Sequence, residues 1–312
     1  MTYNKKLTIL SGLVGVLTIV YIGTLVFDPE RMNTRDAAFA WLDARSASQV
    51  SGIEISNPNG KINLVKKDGV WFVETDGLEY PAKDTRAADL ISLLSKKDAY
   101  PVRGKESASL ERLGLAEDKA SRLVVRAGNT TLLDMFAGAE AATGQVYFRK
   151  NGLNEARAGS NSLDSYITGS KISWYNLRLF PETEKLTVAL VQGVDIAPPL
   201  LNEAETQSAA TLARAEGGWT VNGEKADAAK VESYIRGVLD AEGEDFVDVS
   251  FLSGPAEGKI VLQLGDGTNR VVSVSAILDA NKREAAVSGS NYVYTLSKWT
   301  LDRLFKSTDD FK

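Results

Sequence analysis

Residues 70–94 read VWFVETDGLEYPAKDTRAADLISLL, and residues 218–239 read GWTVNGEKADAAKVESYIRGVL. Each run alternates apolar and polar residues around a Trp, turns at a Gly, and then repeats apolar residues at helical spacing. Trp71 pairs with Trp219 at an offset of 148, and the helical parts align at an offset of 144. In that register Ala87, Leu90, Ile91 and Leu94 meet Val231, Tyr234, Ile235 and Val238. Both sets follow the i, i+3, i+4, i+7 rule that marks one buried helix face.

The correspondence continues along the chain. RLVVRAGNTTLLDMF (122–136) matches KIVLQLGDGTNRVVSV (259–274), two alternating runs joined by a Gly-containing turn, as in a β-hairpin. Leu163–Ile167 then matches Leu301–Phe305 at an offset of 138. A period near 140 far exceeds that of a solenoid repeat, so the pattern predicts a duplicated domain. Each copy reads as strands, a helix opening near Lys83–Asp84 or Asp227, a hairpin meander and a closing helix. The expected fold class is therefore α+β, two tandem domains with antiparallel sheets behind an N-terminal transmembrane helix. The expected boundaries are a tail at 1–6, a span at 7–27, a stalk at 28–50, one copy at 51–180 and the other at 181–312. Phe180-Pro181-Glu182 interrupts the apolar pattern at the junction.

The span rests on Leu7–Phe27, 21 residues without a charge, enough to cross about 30 Å of hydrocarbon as a helix. Lys5 and Lys6 before it, with Asp28 and Glu30 after it, orient the short N-terminus to the cytoplasm. The expected localisation is the inner membrane, single-pass, with the bulk of the chain extracytoplasmic. Ser11, Gly12 and Gly15 would give the span a small-residue face for another membrane helix. Residues 34–45 carry a helical spacing with Thr34 as N-cap, and Trp41 there fits either the membrane interface or the first domain's surface.

Composition removes most chemistry. Among 312 residues there is no Cys and no His, which excludes thiolate nucleophiles, disulfides and every His-based triad or metal site. A net charge of −5 speaks against nucleic acid as a partner. Gly254-Pro-Ala-Glu-Gly258-Lys259-Ile260 is one residue short of a phosphate loop and has Ile where the magnesium hydroxyl belongs. Gly265-Asp266-Gly267 lies between two strands and reads as a hairpin turn. Glu242, Glu244, Asp245 and Asp248 form the densest acidic cluster but lack calcium-loop spacing. Ser95-Lys96 and Ser297-Lys298 are neighbours that cannot face one another on a helix. Asn129-Thr130-Thr131 suits glycosylation or a turn equally. No cofactor and no metal are expected.

KKDGVWFVETDGLEYPAKDTRAADLISLL (66–94), followed by LERLGLAED (110–118), resembles an uncharacterised bacterial family encoded beside ABC transporters of the gliding-motility type. The matching residues are Gly69, Trp71, Val73, Tyr80, Pro81, Ala82, Leu113, Gly114 and Leu115. The second copy lacks the Tyr-Pro step and the Leu-Gly-Leu turn. The resemblance implies a non-catalytic accessory subunit whose partners are a transporter's permease and auxiliary subunits. Two other functions stay open on the sequence: a carboxylate-dependent hydrolase, and a small-ligand receptor using Trp174, Tyr175 and Phe180 near the domain junction.

Overall fold

The computed structural model describes residues 14–18, 21, 38–140, 144–199, 208–279 and 282–312. The chain forms two compact units, one holding the described residues up to Leu78 together with Ala82–Trp174, the other Glu79–Pro81 with Tyr175–Lys312.

In chain order the elements are β1 (Ala38–Phe39), α1 (Ala44–Ser48), β2 (Gly52–Asn57), β3 (Gly60–Lys67), β4 (Val70–Thr75), β5 (Leu78–Pro81), α2 (Asp84–Ser95), β6 (Asp98–Ala99), β7 (Val102–Gly104), α3 (Ser107–Arg112), β8 (Ser121–Ala127), β9 (Thr130–Glu140), β10 (Gln145–Lys150), β11 (Ala156–Ser160) and α4 (Asp164–Ile167). They continue with β12 (Val191–Ala197), β13 (Ala210–Ala215), β14 (Gly218–Val221), β15 (Glu224–Lys225), α5 (Ala228–Leu239), β16 (Asp245–Val247), β17 (Ala256–Leu264), β18 (Asn269–Asp279), β19 (Lys282–Val287), β20 (Val293–Ser297) and α6 (Lys298–Leu304).

Two nine-stranded sheets dominate, in the orders β5-β4-β3-β2-β8-β9-β10-β11-β7 and β15-β14-β13-β12-β17-β18-β19-β20-β16. Position by position these orders are the same, which is what a duplicated domain requires. The repeat extends to single bonds. The Trp71 carbonyl accepts from the Ala82 N–H, and the Trp219 carbonyl accepts from the Ala226 N–H. The next N–H, of Lys83 or Asp227, donates to the carbonyl of Trp174 or Phe311. Across the ladder each Trp faces a cation, Lys66 opposite Trp71 and Arg214 opposite Trp219. Those charges lie 5.8 and 4.7 Å from the ring centroids. Both Trp side chains are buried, as alternation on a one-sided strand demands.

The helices bury the faces that the spacing marks. Ala87, Leu90 and Leu94 of α2 are fully buried and Ile91 half-buried, while Val231, Tyr234, Ile235 and Val238 of α5 are all buried. Asp227 caps α5 by accepting from the Ala229 and Lys230 N–H groups. Lys83, the corresponding residue, makes no side-chain cap; Asp84 accepts from the Trp71 N–H instead. In the first unit the Leu-Gly-Leu turn ends α3, with Gly114 at φ +69 and the Leu115 N–H returning to the Leu110 carbonyl. Leu110 and Leu115 pack with Phe136 and Ala156. Gly138 passes so close to this turn that a Cβ there would sit 2.3 Å from the Leu113 carbonyl oxygen.

Three expectations are corrected. The α+β class gives way to a mostly β architecture, because each of the two large sheets takes nine strands while the longest described helices have only 12 residues. No helix among the described residues is long and apolar enough to cross a membrane, so the single-pass anchor and the inner-membrane localisation built on it are not supported. Of the expected span at 7–27 only residues 14–18 and 21 are described, and the rest of it lies outside the described residues. Lastly, the helix expected at 34–45 is not formed over its described part: β1 and an irregular turn occupy 38–43, and α1 starts only at Ala44, capped by Asp43.

Candidate functional site: a groove between two helices of the second unit

Matched by the hydrogen bonds they share, the two copies differ beside α2 and α5. In the first unit, Arg86 on α2 lies over the rings of Tyr166 and Trp174, at 4.7 and 4.8 Å. Its guanidinium also donates to the Ser165 carbonyl at 2.5 Å. Burial lowers its pKa, the cost of holding a charge between two aromatic faces. Arg86 thus fills the space between α2 and α4.

The residue at the same place in α5 is Lys230, which is exposed and donates to the Lys312 carbonyl instead. Leu304 and Phe311 stand where Tyr166 and Trp174 stand in the first copy. Gly237 replaces Leu93, and Trp299 and Arg303 replace Asn161 and Ser165. The result is an unfilled seam between α5 and α6. One part, about 520 Å³, is lined by Lys230, Ser233, Tyr234, Gly237, Arg303, Lys306, Asp310 and Phe311, among others. A second cavity, about 210 Å³, shares Gly237 and Arg303 with the first and is lined also by Asp240, Ala241, Glu242, Trp299 and Leu304.

The floor of the seam is fixed. Tyr234 is buried, its hydroxyl donates to the Leu304 carbonyl at 2.7 Å, and its ring meets Phe311 edge-on at 5.2 Å. Desolvation raises its pKa, so it stays a neutral donor. The rim is the unusual part. Trp299 is 67% exposed, and the Arg303 guanidinium stacks on it at 4.5 Å. Arg303 has no carboxylate partner among the described residues. Exposed Trp and Arg in contact are the residue types that dominate binding hot spots. α6 itself is well anchored: Ser297 caps it by accepting from the Thr300 N–H, and Lys298 pairs with Asp302 at 2.7 Å.

The residues singled out in the sequence fall elsewhere. Ser11 and Gly12 lie outside the described residues; Gly15 lies in the 14–18 helical stretch, with no atom of the described residues within 4 Å of its Cβ position. Trp174 is fully buried in the first unit, beneath Arg86. Tyr175 and Phe180 are buried in the second unit, Tyr175 against Tyr80 and Phe246 at 5.4 and 5.0 Å. Tyr80 donates to Asp248 at 2.6 Å, and burial first, then that bond, raises its pKa. The acidic cluster is dispersed into separate roles: Asp245 accepts from the Phe246 N–H and Glu244 pairs with Lys282. Among the described residues no group of three carboxylates could hold a metal ion. Ser95 bonds its own helix at the Ile91 carbonyl, and Gly267 turns the β17–β18 hairpin at φ +82. Asn129 sits in the turn between β8 and β9.

The seam escaped the sequence reading although its signal was present. Extending the offset of 138 by two residues sets Trp299 against Asn161, a Trp gained on a surface where the other copy is polar.

Fold and site together define a duplicated antiparallel β protein in which the second copy carries a groove where the first holds Arg86. The chain belongs to the family described as a domain of unknown function (DUF4340), which matches residues 71–257. No curated protein matches it. The matched segment contains the α5 side of the seam and ends before Trp299 and Arg303.

Proposed function

We propose that this protein is a non-catalytic accessory subunit that binds and organises a multi-protein complex, and that the α5–α6 seam of its second unit is where a partner docks. The transporter-type partners, a permease and its auxiliary subunits, come from the family resemblance alone. The observation that carries the binding role is the exposed Trp299–Arg303 pair over an unfilled groove, at the place where the other copy is sealed by Arg86. A duplicated domain can keep one copy as support while the other acquires a contact surface, and the replacements at 230, 237, 299 and 303 follow that pattern.

The test is recovery of companions from native cells with the affinity-tagged full chain. Wild-type protein brings down permease or auxiliary subunits, and Trp299→Ala with Arg303→Ala reduces their recovery without altering the far-UV spectrum. Recovery of no transporter subunit by the wild type would defeat the accessory reading.

A further inference from the structure

The charges around the seam are unevenly placed. Its wider part carries Lys230, Arg303 and Lys306 against a single acid, Asp310. That acid is already engaged, accepting from the Ser307 N–H and hydroxyl and lying 4.0 Å from Lys306. The wider part therefore carries more cationic than acidic side chains, with Lys230 donating to the Lys312 carbonyl and Lys306 near Asp310. The narrower part is walled by the Trp299 ring, Ala241 and Leu304, with Asp240 held by Arg178 at 2.6 Å and Glu242 at the far edge. Gly237 and Arg303 line both parts, and the far end of Arg303 lies 3.9 Å from the Gly237 Cβ position.

We infer that the seam receives a segment of a partner chain that sets a carboxylate among Lys230, Arg303 and Lys306 and a bulky apolar side chain beside Trp299. This rests on the docking role proposed above and specifies its chemistry. From Lys230 to Gly237 and Asp240 the helix advances about 10–15 Å. An extended segment covers that distance in about three to five residues at ~3.3 Å each. The recognised element is then an acidic residue followed or preceded, three to five positions away, by Leu or an aromatic residue. The acid supplies attraction and register, and the apolar anchor supplies burial.

The experiment uses the full chain and three labelled nonapeptides, followed by fluorescence anisotropy. The first has two adjacent Glu residues and a Leu four positions away on a Ser/Gly background; the second replaces Glu by Lys; the third replaces Leu by Ser. The first should bind on the order of tenfold more tightly than the second, two attractive pairs having become repulsive. It should also bind more tightly than the third and weaken as salt is raised. Lys230→Glu with Lys306→Glu should reverse the preference between the first two peptides, and Trp299→Ala should erase the difference between the first and third. Equal binding of all three peptides, or an unchanged preference in the charge-reversed variant with its far-UV spectrum intact, would overturn the inference. If the peptides are not distinguished while partner recovery still depends on Trp299, the acidic-segment chemistry fails and the docking role stands. Peptide discrimination with no transporter subunit recovered supports the groove chemistry and removes the transporter-type partners.

Discussion

Replacing Trp71 or Trp219 by Ala perturbs the same point of two copies. Each ring is about 3% exposed. A buried aromatic of this kind hides roughly 150–250 Å², which at ~25 cal/mol per Å² amounts to about 4–6 kcal/mol as an upper bound. Measured losses for deleting a large buried aromatic run about 3–5 kcal/mol. Because strand position, carbonyl acceptor role and facing cation are shared, the two substitutions should cost the same to within about 1 kcal/mol. Urea titration of the full chain reads this as a midpoint shift of about 1.5–2.5 M for a slope near 2 kcal/mol per M. Hydrogen exchange assigns the loss to a unit, since the Ala82 and Ala226 amides bond to the two Trp carbonyls. Trp71→Ala should speed exchange at Ala82 and leave Ala226 unaffected, and Trp219→Ala should do the reverse. A loss below about 1 kcal/mol at either site would refute the core role of that Trp and, with it, the equivalence of the copies.

Other expectations follow from single residues. Gly138→Ala should destabilise the first unit by more than the ~1–3 kcal/mol usual for overpacking, read by thermal denaturation, because its Cβ would meet backbone that cannot rotate away. Asp227→Ala should cost about 0.5–2 kcal/mol through loss of the α5 cap, whereas Lys83→Ala, lacking any cap bond, should change stability little. Burial raises the pKa values of Tyr80, Tyr100, Tyr234, Tyr292 and Tyr294 above the ordinary value of 10.0. The unfolded chain therefore loses these protons first, so their contribution is intact below about pH 10 and falls as pH rises beyond it. Tyr234→Phe should flatten that alkaline loss in a pH series of urea titrations; an unchanged slope would remove Tyr234 as a contributor.

Much of the architecture was legible because it depends on local periodicity. Trp71 and Val73 alternate on a strand, Leu90 and Leu94 recur on a helix, and the Gly-containing turn at 265–267 joins two alternating runs. The strand count was harder to read, because β7, β15 and β16 are only two or three residues long and carry no periodic signal. The stalk helix was misjudged for a related reason. Ala37, Ala38, Trp41 and Leu42 have helical spacing, but Phe39 and Trp41 instead join Tyr100 and Phe148 in an aromatic cluster of the first unit. That tertiary contact overrides a weak local preference. The seam was only partly legible, in Trp299 set against Asn161, for a third reason. It is created by what does not fill it, Lys230 in place of Arg86 and Gly237 in place of Leu93, and an unfilled space appears only when the two copies are compared in three dimensions.

The proposed function places the contact surface on the second copy and not on the first. A photo-crosslinking amino acid placed at Trp299, or at its counterpart Asn161, tests it in living cells. Discrete crosslinked partners are expected from position 299 and none from position 161, with the position-299 products lost when Lys230 and Lys306 are reversed to Glu. Equal crosslinking from both positions, or products from 161 alone, would contradict it.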